Sequence, residues 1–247
     1  MAWRTVVGLA RISAALAGIV ALVARFIYGL GFHTFVSADY FGYLTMQSNI
    51  ALVAVHAVGG GLALRGRDET RRFSTLRCAV TCFVLVAGVV FGILASQAPT
   101  LGYRLEVPWS DQVLHFFLPT FTLVDWLVSP GRQPVRWRTL ALIVGYPVVW
   151  GIGTVLRGRM VGWYPYFFLD PAQAGYPVSF LLYSGGALGL FALVGAGLIA
   201  ATRTSPLGVR ELRRPGLDHG PTRAQRALLV LLSRPSRRAR GSGRARR

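Results

Sequence analysis

Six stretches of this chain, at about 10–30, 43–64, 77–97, 111–129, 138–156 and 178–201, each run close to twenty mostly apolar residues. An α-helix rises about 1.5 Å per residue, so a run of this length matches a hydrocarbon core of roughly 30 Å. Hydrophobic residues make up 53% of the chain and its mean hydropathy is +0.48, which is not the balance of a soluble domain. The first stretch is apolar between Arg11 and Arg25. It is too long and wrongly flanked for a cleaved signal, and no A-x-A-like site follows it. Six spans in 247 residues leave little chain for a separate soluble domain. The expected fold is all-α: one polytopic six-helix transmembrane bundle over 1–202, followed by a basic tail over 203–247.

The arginines set an expected orientation, because basic residues favour cytoplasmic loops. The link between the second and third stretches carries Arg65, Arg67, Arg71, Arg72 and Arg77, and the link between the fourth and fifth carries Arg132, Arg136 and Arg138. The remaining links are poorer, with none in 31–42 and only Arg104 in 98–110. Both termini are therefore expected in the cytoplasm, in a multi-pass protein of the cell membrane. Arg157 and Arg159, in the link 157–177, run against the rule.

The net charge of +18 is concentrated in the tail, where 203–247 holds 13 arginines against Glu211 and Asp218. A charge block with Pro, Gly and Ser reads as disordered, lying against anionic headgroups at about 1 kcal/mol per basic residue near the surface. Membrane lipids are the expected partners, and no folded nucleic-acid module is legible. Within it, Ala227 to Leu232 is too short to span and suits an interfacial position. Cys78 and Cys82, one helical turn apart, read as small packing residues. Two ligands do not make a zinc site, and no metal or cofactor is expected. No P-loop, G-x-G-x-x-G or short-period repeat is present.

Two polar runs break the apolar pattern: Tyr43-Leu44-Thr45-Met46-Gln47-Ser48-Asn49 and Asp111-Gln112-Val113-Leu114-His115. Each opens one of the long stretches, and the second continues through Pro119 to Asp125-Trp126. Strongly polar residues within a span are costly, so they point to function. With both termini inside, Thr45 and His115 lie roughly 3 and 6 Å below the same outer boundary. Thr45, Ser48, Asn49, Leu52 and His56 follow i, i+3, i+4, i+7, i+11 spacing, one stripe of a helix. Asp111, His115, Leu118, Thr122 and Asp125 form a second stripe. Polar stripes are unstable against lipid, so both are expected to face the bundle interior or a wet cavity.

These residues resemble the androgen-induced protein family of multi-pass membrane proteins, whose animal members include lipid hydrolases with a membrane-embedded threonine and histidine. Thr45, within Tyr-Leu-Thr, and His115, four residues before Pro119, match that pair. The run Thr45 to Asn49 and the later Trp163-Tyr164-Pro165-Tyr166-Phe167-Phe168-Leu169-Asp170-Pro171 look more like the bacterial branch. The resemblance covers roughly residues 10–200. It implies hydrolysis of an ester bond in an amphiphilic lipid, with fatty acid esters of hydroxy fatty acids as the nearest substrate class.

The residues themselves allow that chemistry. A threonine hydroxyl needs a neighbouring base, and an imidazole suits general-base work near neutral pH. Asp111, one turn from His115, is expected to orient the ring as a carboxylate does in triads on other folds. Asn49, Gln47 and Ser48 are candidate donors to a developing oxyanion, Asn49 first because it shares the stripe with Thr45. Each has a plainer reading: Thr hydroxyls in membrane helices bond back to a carbonyl one turn earlier, and Asn stitches helices together.

Deeper in the same stripes, His56 and Asp125 are expected as an inner polar pair, hydrogen-bonding across the bundle or conducting protons. Trp126 fits an interfacial aromatic belt. The segment holding Trp163, Tyr164, Tyr166 and Asp170 cannot be regular helix, because Pro165 and Pro171 lack N–H groups and restrict the residues before them. It is expected as an extended outer loop, either a lid over an apolar entry or an aromatic anchor. The competing functional reading is a non-enzymatic carrier or lipid-binding partner, which would need a continuous polar path through His56 and Asp125.

Overall fold

The computed structural model describes residues 2–97, 106–173 and 175–204. Among these the regular structure is helical: α1 (Ala2–Leu30), α2 (Ser37–Gly42), α3 (Leu44–Leu64), α4 (Arg71–Gln97), α5 (Trp109–Gln112), α6 (Leu118–Val128), α7 (Thr139–Val161) and α8 (Val178–Ala201). Five of them, α1, α3, α4, α7 and α8, are long and apolar enough to cross a membrane, which makes this a multi-pass membrane protein. The helix expected over 111–129 is built differently. It runs from Trp109 to Val128 as α5, a π turn over Val113–Phe117, and α6. Pro119 supplies a local reason, since it has no N–H to give the carbonyl of His115. The Leu118 N–H reaches back to the carbonyl of Val113, one residue further than in an α-helix.

Helix α4 is the spine. It packs against α3, α6, α7 and α8, while α1 lies along α3 and against the broken helix from α5 to α6. One apolar cluster, on the α1 and α3 side, contains Ala14, Ala21, Leu52, Val84 and Leu118. The other, toward α7 and α8, contains Cys78, Cys82, Trp126, Ile143, Phe191 and Ile199. Both cysteines are fully buried free thiols there, acting as small packing residues. Close approach of α1 and α3 depends on glycine. A Cβ at Gly60 would sit 3.0 Å from the carbonyl of Gly8, and one at Gly8 would sit 3.1 Å from that of Gly60. Small residues at such crossings let backbones pack directly where lipid removes the hydrophobic drive between helices. Val149, Met160, Leu182 and Leu193 stand exposed on α7 and α8, as lipid-facing positions do.

Several boundaries differ from expectation, each for a local reason. α1 begins eight residues earlier, at Ala2, where Arg4 pairs with Asp68 at 2.5 Å and donates to the carbonyl of Gly66 at 3.1 Å. α4 begins at Arg71, because Thr70 Oγ1 accepts the Phe73 N–H at 3.2 Å and caps the first turn. α7 continues to Val161 and ends on Gly162 in the left-handed conformation, φ +70°, with its N–H bonded to the carbonyl of Gly158. Arg157 and Arg159 are thus helical. The proline-aromatic segment is irregular as expected, apart from one 3₁₀ turn at Phe167–Leu169. Of the expected tail only 203 and 204 are described; Arg203 lies over the Trp137 ring at 4.8 Å. The tail beyond them, Ala227 to Leu232 included, lies outside the described residues.

Candidate functional site

Both polar stripes face inward. Thr45, Ser48, Asn49, Leu52 and His56 are buried on α3, and Asp111, His115, Leu118, Thr122 and Asp125 are buried along the broken helix. At the end of the bundle where α3 begins, Thr45 and His115 line the same cavity of about 780 Å³. Its walls are mostly apolar: Val90, Phe91 and Leu94 of α4, Ile152 and Val155 of α7, and Phe180 and Leu188 of α8. That size and character are those of a small-molecule site.

The π turn sets His115. Its Nδ1 lies 3.0 Å from the backbone carbonyl oxygen of Asp111. A carbonyl only accepts, so Nδ1 carries the proton and Nε2 keeps the lone pair that a general base needs. The ring stacks on Phe91 with centroids 3.8 Å apart, which fixes its plane. Behind it, Gly88 of α4 lets the helices close: a Cβ there would collide with the carbonyl oxygen of His115. The expected role of the Asp111 carboxylate needs correction. It lies 3.9 Å from Nδ1 and is held by Arg25 Nε at 2.9 Å, so the residue orients the imidazole through its backbone. Arg25 was not legible as a site residue, because it reads as the flank of an apolar stretch.

Thr45 is the second residue of α3, and its hydroxyl does not bond back along its own helix. Oγ1 is 3.3 Å from the Tyr166 hydroxyl instead. No hydrogen bond joins Thr45 to His115 among the described residues; the two share the cavity. The three expected oxyanion donors are committed elsewhere, a second correction. Asn49 Nδ2 donates to the carbonyls of Thr45 at 3.0 Å and Leu114 at 3.4 Å. Ser48 Oγ donates to the same Thr45 carbonyl at 2.9 Å. Gln47 donates to the carbonyl of Phe41 at 2.8 Å and accepts from Tyr146 at 2.7 Å. Asn49 is therefore a stitch between the backbone at Thr45 and the backbone beside His115.

The proline-aromatic segment closes one side of the cavity. Trp163 and Tyr166 line it, and Tyr43 packs edge-on against both, at centroid distances of 5.4 and 5.9 Å. Burial raises the Tyr166 phenol above its usual pKa, so it stays protonated. Tyr164 faces α7, where Gly158 leaves room for its ring. Asp170 serves its own turn, accepting from the Ala172 N–H and from Gln173. Neither Tyr164 nor Asp170 borders the cavity. The segment is tied down at α7, where Arg157 pairs with Asp39 at 2.5 Å and lies over the Trp163 ring at 5.2 Å.

His56 and Asp125 do not hydrogen-bond to each other, a third correction. Asp125 is taken by Arg11 Nε at 3.0 Å, by Arg77 Nη1 at 2.6 Å and by the Ser129 hydroxyl. Glu69 completes the cluster, 3.3 Å from Arg11 and 3.2 Å from Arg77. Two buried acids thus neutralise two buried guanidiniums, the pairing that low-dielectric surroundings require. Arg77 also lies over the Trp126 ring at 4.7 Å, and Trp126 Nε1 donates to the carbonyl of Leu198 at 3.1 Å. Trp126 is fully buried, not at an interface. His56 packs edge-on against Phe121, and neither of its ring nitrogens has a hydrogen-bond partner among the described residues. The sequence held little signal for this cluster, because Arg11 and Arg77 stand at the edges of apolar stretches and read as flanking or loop cations. Their partner Glu69 gives none, since it sits in a polar link.

Among the described residues no three His, Cys, Asp or Glu side chains are grouped to hold a metal ion. No protein-family model, curated protein or solved structure matches the chain.

Proposed function

We propose that this protein is a membrane-embedded threonine hydrolase that cleaves an ester bond of an amphiphilic lipid. The observation that carries the reading is that Thr45 and His115 both open onto one largely apolar cavity. The His115 tautomer supports it, because the bond to the Asp111 carbonyl leaves Nε2 as the acceptor. In the first half-reaction Nε2 takes the Thr45 proton while Oγ1 attacks the ester carbonyl carbon. The leaving alkoxide receives that proton as the carbon–oxygen bond breaks. In the second half, His115 takes a proton from water, which attacks the acyl-threonine; the acid leaves and Thr45 recovers its proton. By resemblance to the animal androgen-induced family, fatty acid esters of hydroxy fatty acids are the nearest substrate class.

The same reading places six spans in the cell membrane with both termini on the cytoplasmic side. Trp109 to Val128 is the sixth, at about 30 Å for 20 residues. Two ion pairs support its direction: Arg11 with Asp125 and Arg25 with Asp111 run in opposite sequence order, so α1 and the broken helix are antiparallel. The cavity then lies toward the outer leaflet. A carrier would use His56 and Asp125 as a polar path, but Asp125 is saturated by arginines and His56 lies against Phe121.

The test is labelling of the purified protein with a lipid-like fluorophosphonate. Wild type is expected to label, and Thr45→Ala and His115→Ala to lose labelling and ester hydrolysis nearly equally, since paired catalytic groups act as a unit. Labelling that persists in Thr45→Ala removes Thr45 as nucleophile.

A further inference from the structure

The geometry points to Tyr166 as the oxyanion-stabilising catalytic residue of this site, an assignment that rests on the reading of Thr45 as nucleophile. Attack by a hydroxyl on an ester carbonyl puts negative charge on the carbonyl oxygen, and a buried site must supply a donor aimed at it. The other polar side chains of the α3 run are not placed to do so: Gln47, Ser48 and Asn49 each donate to a backbone carbonyl, and none of the three borders the cavity. Asn49 divides its amide between two carbonyls and has no accessible surface.

Tyr166 meets the requirements they miss. It borders the cavity, and its hydroxyl lies 3.3 Å from Thr45 Oγ1. In a tetrahedral adduct the oxyanion and the attacking oxygen are bonded to one carbon, so they lie about 2.3 Å apart, and a donor beside one can reach the other when the oxyanion forms on its side. The phenol's position is fixed by its neighbours: Trp150 at 5.9 Å and Phe168 stacked at 5.3 Å, with Tyr43 on a further side. Burial keeps it protonated, so it donates a hydrogen bond and transfers no proton. With Tyr166 donating to Oγ1, one of the two directions the 3.3 Å contact allows, the threonine's own proton is free to turn toward His115. As the adduct forms, the phenol shifts its bond from Oγ1 to the new oxyanion; when the carbonyl is restored, it shifts back.

The experiment compares wild type, Tyr166→Phe and Thr45→Ala with 4-nitrophenyl octanoate as substrate. It adds binding of an octyl trifluoromethyl ketone, which forms an anionic adduct with a serine or threonine, and of the matching non-electrophilic octyl methyl ether. Tyr166→Phe keeps the ring and its packing, so a change in fold is not expected; its thermal transition serves as the check. Expected are a fall in kcat of about 100-fold with KM nearly unchanged, ketone affinity reduced by a similar factor, and ether affinity unaltered. A Tyr166→Phe kcat within threefold of wild type overturns the assignment while Thr45→Ala, if inactive, leaves the hydrolase reading standing. A loss confined to KM, with ketone and ether weakened equally, overturns it in favour of a purely lid-forming tyrosine. Full activity in Thr45→Ala, or none in wild type, overturns both.

Discussion

His115 is anchored to Asp111 through the backbone: its Nδ1 lies 3.0 Å from the Asp111 carbonyl oxygen, while the carboxylate stands 3.9 Å away and faces Arg25. The imidazole tautomer is thereby written into the main chain of α5, immediately before the π turn. A side-chain substitution at 111 leaves that bond in place.

Asp111→Asn is expected to reduce hydrolysis by about tenfold or less, the scale of one lost hydrogen bond of ~1 kcal/mol. Arg25→Gln should match it, and the double variant should be little worse than either, because one contact is removed three times. Steady-state kinetics of the three variants against His115→Ala decide this. An Asp111→Asn loss as deep as that of His115→Ala would mean that the carboxylate is the orienting group.

Gly88→Ala tests the support behind the histidine. The added methyl would press on the His115 carbonyl and on the Pro119 ring, while Gly92 one turn on meets only Phe116 at 3.7 Å. Overpacking of this kind costs about 1–3 kcal/mol. Gly88→Ala should lower fluorophosphonate labelling rates more than tenfold, and Gly92→Ala should leave them near wild type. Equal behaviour of the two would show that the π turn tolerates displacement.

The buried cluster of Arg11, Arg77, Glu69 and Asp125 carries a stability prediction. Asp125→Ala leaves two guanidiniums facing Glu69 alone, and breaking a buried pair in this way costs about 3–5 kcal/mol. Replacing both members of one pair, as in Arg11→Met with Asp125→Leu, should recover part of that loss. Thermal unfolding in detergent reads both. A single variant as stable as wild type would exclude the cluster as a fold determinant.

Orientation is open to direct measurement. Cys78 and Cys82 are fully buried, so new cysteines report without removing them. Arg65→Cys, in the link between α3 and α4, should react with a membrane-impermeant maleimide only after lysis. Val36→Cys, between α1 and α2, should react in intact cells. The reverse pattern would invert the proposed topology.

Composition and periodicity carried most of the fold. Twenty-residue apolar runs dictate membrane helices because the backbone has no other partner in lipid, and polar residues at helical spacing must turn inward for the same reason. Thr45 and His115 were accordingly legible as inward-facing, and both border one cavity. What pairs with what was not legible, because ion pairs and hydrogen bonds join residues far apart in the chain: Arg11 with Asp125, Arg25 with Asp111, Thr45 with Tyr166. Helical spacing alone suggested a carboxylate at 111 for the imidazole, a free amide at 49 for the oxyanion, and a partner at 125 for His56. Tertiary packing brought arginines from α1 and α4 to the acids and carbonyls to the amide. Charge pairing and the need to satisfy every buried donor then assigned the contacts in space, where sequence neighbours hold no priority.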